Sequence, residues 1–522
     1  MFVRISKYIS LQLMKFYFLP IIYCVLFIFS AVAQTQPRKI ELLHANSLEH
    51  DDRLGKDVKR LLGNVSFQDG NTLLYCDSAY MYPDNSVDAF SRVRIVQGDS
   101  LTIHGDFLKY NPNTRITEIH KNIKLIQKST TLVTELLYYD MATHKANYPN
   151  GGTITSKDNV LVSDMGYYNP KAKMFSFKKN VVLTNPQYVM YCDTLNYNSS
   201  NNTAYFVGPT RIKNKENIIY CESGWYNTNN DNAQFSKNAS IITQGRKMTG
   251  DSIHYDKVKK IGIAIGNVSI LDSAQSILVT GDKAINLGKQ ETSTVTGHAL
   301  LKQFYGSDTL FLHADTLRTV DEHPLNKKHE PDTSVTWRMM YAYHKVKFYR
   351  TDIQGRCDSL VYSGKDSIMR LYIHPIMWSE ENQLIAKKIE LKTSGGEISK
   401  MFLKESAFII SKEDSIKYNQ IKGKEMTGYF KKNKLSKIHV EGNGQTVYFA
   451  KDKQKKIGIN KADCSNMMIY IKENAIQKVT FLKKPDATLF PMRDFTPKEF
   501  MLKDFIWREN ERPLSVGDLF CE

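Results

Sequence analysis

The chain has 522 residues, of which 71 are Lys or Arg and 54 are Asp or Glu, so its formal net charge is +17. Its content of 42% hydrophobic and 11% aromatic residues is that of a folded protein and excludes an intrinsically disordered chain. The seven Cys show no CxxC spacing, which argues against a zinc or dithiol redox site of the usual kind.

The first predicted element is an export signal over residues 1–33. Arg4, Lys7 and Lys15 carry positive charge, residues 16–29 are almost wholly apolar, and residues 31–33 (Ala-Val-Ala) supply the small side chains that a signal peptidase needs. The apolar run is short for a spanning helix, which needs about 20 residues, so we expect cleavage. An uncleaved membrane anchor is the alternative.

After this segment the chain is a repeat. An acidic residue returns every 29 residues, and in six successive units a Tyr follows four positions later. The acidic positions are Asp77, Asp106, Glu135, Asp164, Asp193, Glu222 and Asp251, and the Tyr positions are Tyr110, Tyr139, Tyr168, Tyr197, Tyr226 and Tyr255. A fixed period of this length is typical of an elongated stack. The series then loosens but continues to Asp463, which makes about thirteen units.

Each unit is predicted to contain two β-strands and two turns. A Gly/Lys-Asn-Val/Ile marker, such as residues 63–65, lies about fourteen residues before each acidic residue, and an Asn-rich cluster such as residues 111–113 follows the Tyr. We interpret both as turns, with the β-branched residue of the marker beginning a strand. Apolar and polar residues alternate between them, and no helical stripe is sustained. The sequence therefore predicts an all-β fold.

The acidic ladder and the Tyr ladder each allow two interpretations. Adjacent carboxylates repel, so we expect each acidic residue to be a structural corner that accepts hydrogen bonds from backbone N–H groups at a turn; a row that binds cations is the alternative. The Tyr side chains are packing residues, or they line an apolar groove if the two sheets do not close. The groove candidates are Leu108, Tyr110, Tyr139, Tyr168, Leu195, Tyr197, Tyr226, Ile253 and Tyr255.

The loss of phase divides the chain. We predict a first array over residues 39–320, a linker loop or hinge over 321–334, a second array over 335–491 and a C-terminal tail over 492–522. His323 and His329 in the linker are expected to be solvated. The tail is predicted to be a docking peptide or a cap on the array end.

Two further features concern charge and Cys. Residues 384–484 contain 22 Lys against 10 acidic residues, a basic surface that suits phosphate or an anionic membrane, or serves only solubility. Cys192 and Cys221 occupy the same slot in neighbouring units, which leaves a disulfide between them open.

The unit resembles that of the lipopolysaccharide-transport (organic-solvent-tolerance, OstA-like and LptA-like) β-jellyroll family. The residues that carry the resemblance best are 105–110 (GDFLKY), 192–197 (CDTLNY) and 250–255 (GDSIHY). It covers residues 39–320 well and 335–491 loosely. The chain is longer than a single bridge domain and lacks the additional length of a translocon barrel.

Membership would imply an open, V-shaped jellyroll that holds the acyl chains of lipid A, pairs edge to edge with other transport components, and delivers lipopolysaccharide to an outer-membrane translocon. It would place the chain in the periplasm, possibly associated with the outer membrane, with no cofactor, metal or nucleic acid. The alternative is a structural or adhesive exported protein built as a closed parallel β-solenoid. We expect no enzyme: residues 98–101 (GDSL) match a hydrolase signature but lie inside a repetitive β segment, and no catalytic constellation is visible.

Overall fold

The computed structural model describes residues 40–50, 55–99, 101–243, 245–288, 290–306, 308–325, 331–332, 334–394, 397–431, 433–452, 455–472 and 475–521. The predicted export signal, residues 1–33, and His329 lie outside the described residues. Strands dominate, and the described residues include no α-helix; three short 3-10 helices, at Met492–Asp494, Glu509–Glu511 and Gly517–Leu519, belong to the tail.

The first eighteen strands are β1 (Glu41–His44), β2 (Ser47–His50), β3 (Lys59–Asp69), β4 (Thr72–Met81), β5 (Val87–Gln97), β6 (Leu101–Asn111), β7 (Ile116–Gln127), β8 (Thr130–Asp140), β9 (Ala146–Tyr148), β10 (Gly152–Ser156), β11 (Asn159–Ser163), β12 (Met165–Asn169), β13 (Met174–Asn185), β14 (Tyr188–Asn198), β15 (Thr203–Asn214), β16 (Asn217–Asn227), β17 (Ala233–Thr243) and β18 (Arg246–Asp256).

The remaining eighteen are β19 (Ile261–Asp272), β20 (Ile277–Leu287), β21 (Thr292–Thr296), β22 (Leu300–Tyr305), β23 (Asp308–His313), β24 (Thr316–Glu322), β25 (Trp337–Arg350), β26 (Ile353–Ser363), β27 (Ile368–Tyr372), β28 (Ile376–Ser379), β29 (Asn382–Ile385), β30 (Lys388–Ser394), β31 (Glu397–Lys412), β32 (Tyr418–Lys431), β33 (Lys434–Asp452), β34 (Lys455–Lys472), β35 (Ala475–Leu482) and β36 (Asp486–Phe490).

All 36 strands of the described residues belong to one sheet whose pairings are all antiparallel, and the long strands pair mostly with the strands before and after them. The predicted all-β jellyroll of two-strand units is confirmed. The alternative of a parallel solenoid is wrong, because short connections such as residues 70–71 reverse the chain and every pairing between the described strands is antiparallel.

Each long strand bends near its middle. In the first unit the pairing register shifts between Leu62 and Val65, where Gly63 and Asn64 adopt positive φ angles of 74° and 48°. The same left-handed bend recurs at residues 121–122, 179–180 and 237–238. The marker is therefore a mid-strand β-bulge, and the prediction that it is a turn beginning a strand was wrong.

The bends fold the sheet into two leaves that face each other. We call leaf A the half that contains residues 65–69 and 72–76 and everything that continues their pairing, and leaf B the half that contains residues 59–62 and 78–81 and their continuation. Apolar side chains on the facing sides form one core along the stack. The bend is the closed end of each V, and the hairpin turns form its mouth.

The sheet continues through the predicted linker. Strand β24 pairs with β25 from Thr316 opposite Tyr343 to Glu322 opposite Trp337, so residues 323–336 form the connection between two paired strands. The tail runs back along the second array and lies on the outer face of leaf A. It covers a separate apolar cluster that includes Phe408 and Phe449.

Candidate functional site

The acidic ladder lies at the bends, where an Asn side chain sixteen residues later donates a hydrogen bond to four of the seven carboxylates. Glu135 instead accepts from the backbone N–H of Asn122 (3.4 Å), and Asp193 accepts from the Thr194 hydroxyl (3.1 Å). Asn122 donates to Asp106 (2.6 Å), Asn180 to Asp164 (2.8 Å) and Asn238 to Glu222 (2.8 Å). Asn267 donates in the same way to Asp251 (3.1 Å). Other side chains contact two further carboxylates: Arg92 donates to Asp77 (2.9 Å), and His298 bonds to Asp282 (2.9 Å). A side chain at the bulge is thus the main donor, where we had expected backbone N–H groups.

The left-handed bend at Asn238 predicts that substitution by Ala and by Gly lowers the free energy of unfolding by different amounts. Asn238→Ala removes the bond to Glu222 and places a Cβ-bearing residue at φ 54°, whereas Asn238→Gly removes only the bond. We expect Ala to lower the free energy of unfolding by about 1 kcal/mol more than Gly does. Hydrogen exchange of the β17 and β18 amides measures this. Equal loss of protection in the two variants would contradict a role for the left-handed bend.

The Tyr ladder lies at the mouth edge of leaf B. In the pairing register Tyr139 and Tyr226 stand beside small residues of the adjacent strands, for example Tyr226 beside Ala204 and Ala233, whereas Tyr197 stands between Phe175 and Ala204. This spacing lets the Tyr139 and Tyr226 rings pack without a steric clash across the ladder. Burial is the main reason that the pKa values of the Tyr139 and Tyr226 hydroxyls lie above their ordinary value.

In the first units the two leaves are joined across the mouth. The Tyr110 hydroxyl donates to Asp69 of leaf A (2.9 Å), and the Arg115 guanidinium binds the same carboxylate at 2.7 and 3.0 Å. We call these three residues the Asp69 latch. Burial, and then the hydrogen bond to Asp69, raise the pKa of Tyr110.

A second connection follows one unit later. The Tyr139 hydroxyl donates to Gln97 of leaf A (2.6 Å), and the Gln97 amide contacts His144 (2.8 Å). In later units the Tyr hydroxyl bonds within its own leaf instead, as Tyr197 does with Asn202 (3.0 Å) and as Tyr226 does with Asp231. The chain thus joins the leaves across the mouth at Tyr110 and Tyr139 but not in the same way at Tyr197 and Tyr226.

The burial of the inner face of leaf A also changes along the stack. Its lining residues are fully buried in the first units, for example Leu74 and Ile103, each 1% exposed. From Leu125 to Val279 most of them are only half-buried, and from Leu301 onward they are buried again. The half-buried lining consists of Leu125, Ile154, Leu183, Ile212, Ile219, Ile241, Met248, Ile270, Ile277 and Val279, which we call the trough.

The trough is continuous because its residues are paired from strand to strand. Leu183 stands opposite Met190, which stands opposite Ile212, which stands opposite Ile219, and the series continues to Val279. At the mouth above it, the turns of leaf A and the Tyr226 edge of leaf B bound a cavity of about 330 Å³. The trough is therefore an apolar surface with access to solvent.

The groove candidates from the sequence lie on the facing leaf and divide by burial. Leu108, Tyr110, Tyr139, Leu195 and Ile253 are buried in the core. Tyr168, Tyr197 and Tyr226 are half-buried, and Tyr255 is 39% exposed. Sequence reasoning missed the leaf A side of the trough, although Leu125, Ile154, Leu183, Ile212, Ile241 and Ile270 recur at the same 29-residue period.

In the part of the chain that the structure describes, no group of three or more His, Cys, Asp or Glu is placed to hold a metal ion. Cys192 and Cys221 are free thiols on β14 and β16 with β15 between them, and burial raises the pKa of each to about 12 and about 11. No described helix is long and apolar enough to cross a membrane.

A comparison with known protein families matches the first part of the chain, including most of the trough. The family model described as OstA-like protein matches residues 37–193 and, in a second overlapping copy, 179–251. Residues 37–251 are thus similar to this family. No curated protein matches the chain. The OstA-like region covers strands β1–β17 and most of β18, and so includes the acidic ladder, the Asp69 latch and the trough as far as Met248.

Among solved structures, one similar chain is LptH, described as the LptA homologous periplasmic component of the conserved lipopolysaccharide transport device from Pseudomonas aeruginosa. The sequence identity is 16%, the alignment covers 22% of this chain and 93% of that chain, and the TM-score is 0.21.

Proposed function

We propose that this protein carries lipopolysaccharide through the periplasm towards the outer membrane by holding its acyl chains in the trough. The observation that carries the proposal is the continuous row of aliphatic side chains from Leu125 to Val279, most of them only half-buried, which faces a second leaf. The OstA-like character of residues 37–251 and the resemblance of its repeat unit to the lipopolysaccharide-transport jellyrolls support the choice of cargo.

Energetics favour an alkyl ligand over a polar one. Each methylene removed from water contributes about 0.8 kcal/mol, so even part of an acyl chain would bind appreciably to an apolar surface of this length. The lining offers aliphatic carbon on leaf A and ring faces such as Tyr197 on leaf B. Hydrogen-bonding groups are confined to the mouth, at Asn202 and Asp231 for example. A headgroup would remain there while its chains enter the V.

Edge strands offer the contacts that a bridge would need. Among the described residues, β1 and β2 pair only with β3, and β35 and β36 pair only with β34. Leu43 and Leu48 at the first edge and Leu489 at the other are exposed. Unpaired strand edges accept further strands, so we propose that other transport components, including an outer-membrane translocon, join here.

Site-specific photo-crosslinking tests the cargo. A crosslinking residue at Ile219, on the inner face of β16, is expected to capture lipopolysaccharide in cells, whereas one at Tyr220, the next residue on the outer face, is not. Tyr197 and Asn196 form the matching pair on leaf B. Equal capture from both faces, or capture only from Tyr220 and Asn196, would exclude the trough as the carrier site. A purely structural protein would give no lipid adduct at any of the four positions.

A further inference from the structure

A row of Lys and Tyr residues crosses the outer face of leaf B in the second array. The pairing register places Lys392, Lys400, Tyr429, Lys437, Tyr470 and Lys478 opposite one another on the six successive strands β30–β35. We call this set the Lys/Tyr row. Neighbouring strands are about 4.8 Å apart, so from Lys400 onward cations and rings alternate, with about 10 Å between successive cations.

The row faces away from the core. The residues that precede or follow its members along the strands, Leu391, Met401, Ile438 and Ile469, are buried between the leaves. Successive side chains on a strand point to opposite faces, so the row lies on the outer surface. Lys392, Lys400 and Lys478 are exposed, and Tyr470 is 41% exposed. The tail covers the outer face of leaf A, which leaves this face of leaf B open.

Three of the four ammonium groups of the row contact aromatic rings and not carboxylates. Lys437 lies 4.4 Å and Lys400 5.5 Å from the centre of the Tyr429 ring, and Lys478 lies 6.0 Å from that of Tyr470. Within the described residues, no carboxylate pairs with any of the four Lys of the row. A ring attracts a cation without neutralising it, so the positive potential of the row remains available to a ligand.

Neighbouring Lys residues on the same face are, by contrast, paired with a carboxylate. Lys388 and Lys404 bind the buried Glu390 carboxylate at 2.7 and 2.9 Å, and Arg370 approaches it at 3.7 Å. Those cations are satisfied within the fold, and their charge-assisted contacts lower the pKa of Glu390 against the opposing effect of burial. The four Lys of the row therefore keep the positive charge that Lys388 and Lys404 share with Glu390.

We propose that the Lys/Tyr row binds a linear acidic polysaccharide. Lys ammonium groups would bind the carboxylate or sulfate groups of the polymer, and the ring faces of Tyr429 and Tyr470 would stack on the apolar faces of its sugars. A bilayer surface fits less well, because the half-buried Tyr429 ring cannot insert into lipid. The row lies on the face of leaf B opposite the core, so this inference does not depend on the lipid-carrier proposal.

The test measures binding of a fluorescently labelled oligoguluronate to the full-length mature chain by anisotropy. Lys400→Gln/Lys437→Gln/Lys478→Gln is expected to weaken binding on the order of tenfold or more, since three charge-assisted contacts are lost. The control, Lys124→Gln/Lys213→Gln/Lys247→Gln, removes the same charge from exposed positions on the outer face of leaf A and should leave the affinity nearly unchanged. Circular dichroism confirms that both variants keep their strand content. Equal weakening by the two triple variants would overturn the proposal, as would no weakening by the first.

A second pair of measurements separates a saccharide site from a bare cationic patch. Tyr429→Leu/Tyr470→Leu is expected to weaken the oligoguluronate but to leave inorganic polyphosphate binding unchanged, because only the sugar stacks on the rings. If polyphosphate, a single-stranded DNA oligonucleotide or phosphatidylglycerol vesicles bind as tightly as the oligoguluronate, and the Tyr substitutions have no effect, the row is not a polysaccharide site.

Discussion

A chain that ends at Asp494 is expected to lose the ordered structure of leaf A in the second array. The tail that this truncation removes covers an apolar cluster formed by Phe408, Ile410, Val447, Phe449 and Ile459, all at most 3% exposed. Exposing a large buried side chain costs about 2 kcal/mol, so the summed loss approaches the whole stability of an ordinary domain. We expect soluble oligomers or aggregates on size-exclusion chromatography and rapid hydrogen exchange in β31–β34.

The attachment of the tail explains why the loss should be this large. Two buried glutamines hold its backbone as a neighbouring strand would. Gln420 donates to the carbonyl of Phe500 and accepts from the N–H of Leu502, both at 2.8 Å. Gln383 does the same with Ile506 and Arg508, both at 2.7 Å. Each of these amides satisfies polar groups that have no access to water.

Point substitutions test the attachment without removing the cluster. Gln420→Ala leaves a backbone N–H and a carbonyl unpaired beneath the tail and should cost about 2 kcal/mol. Gln445→Ala, which removes an amide bonded to Asp463 at the surface, is the control and should cost well under 1 kcal/mol. A truncated chain that remains monomeric, with β31–β34 protected as in the intact protein, would show that the tail is a passive extension.

The sequence predicted the repeat unit but not its bend. Residues 63–65 have the composition of a turn, and only the pairing of β3 with β4 on both sides of Asn64 shows that the strand continues through it. A left-handed Gly-Asn pair suits a hairpin and a β-bulge equally, so local chemistry could not decide between them. The acidic residue was expected to need compensation, because a ladder of bare carboxylates would repel, and four of the ladder carboxylates accept a hydrogen bond from an Asn side chain at the bulge.

The tail and the trough depend on contacts far apart in the chain. Residues 407–410 (Ala-Phe-Ile-Ile) form an unbroken apolar run, a sign that both faces of a strand are covered, but nothing in the run identifies the covering segment. The periodic Leu and Ile positions of the trough were visible in the sequence. Their partial exposure was not, because it depends on how the two leaves are joined at the mouth.

Because the Asp69 latch joins the two leaves at the mouth, we expect the second large effect from a substitution of Asp69. Asp69→Ala is expected to cost about 3–5 kcal/mol in the first units, because it leaves the Arg115 guanidinium and the Tyr110 hydroxyl without their shared partner at a site where Asp69 is 4% exposed. Faster hydrogen exchange confined to β3–β8 measures the loss. Glu405→Ala, which breaks the exposed pair with Lys387, is the matched control and should cost at most about 1 kcal/mol.

A double substitution separates the latch from simple loss of a buried group. Replacing both charges, in Asp69→Leu/Arg115→Met, removes the ion pair without leaving an unpaired charge and should cost less than Asp69→Ala alone. If the latch also keeps the mouth closed, a crosslinker at Ile103, buried in the intact protein, should gain lipid capture in the Asp69→Ala background and resemble one at Ile219. Unchanged exchange in β3–β8 after Asp69→Ala would mean that core packing alone holds the leaves together, and the difference between the closed and open units would then need a cause other than the bonds across the mouth.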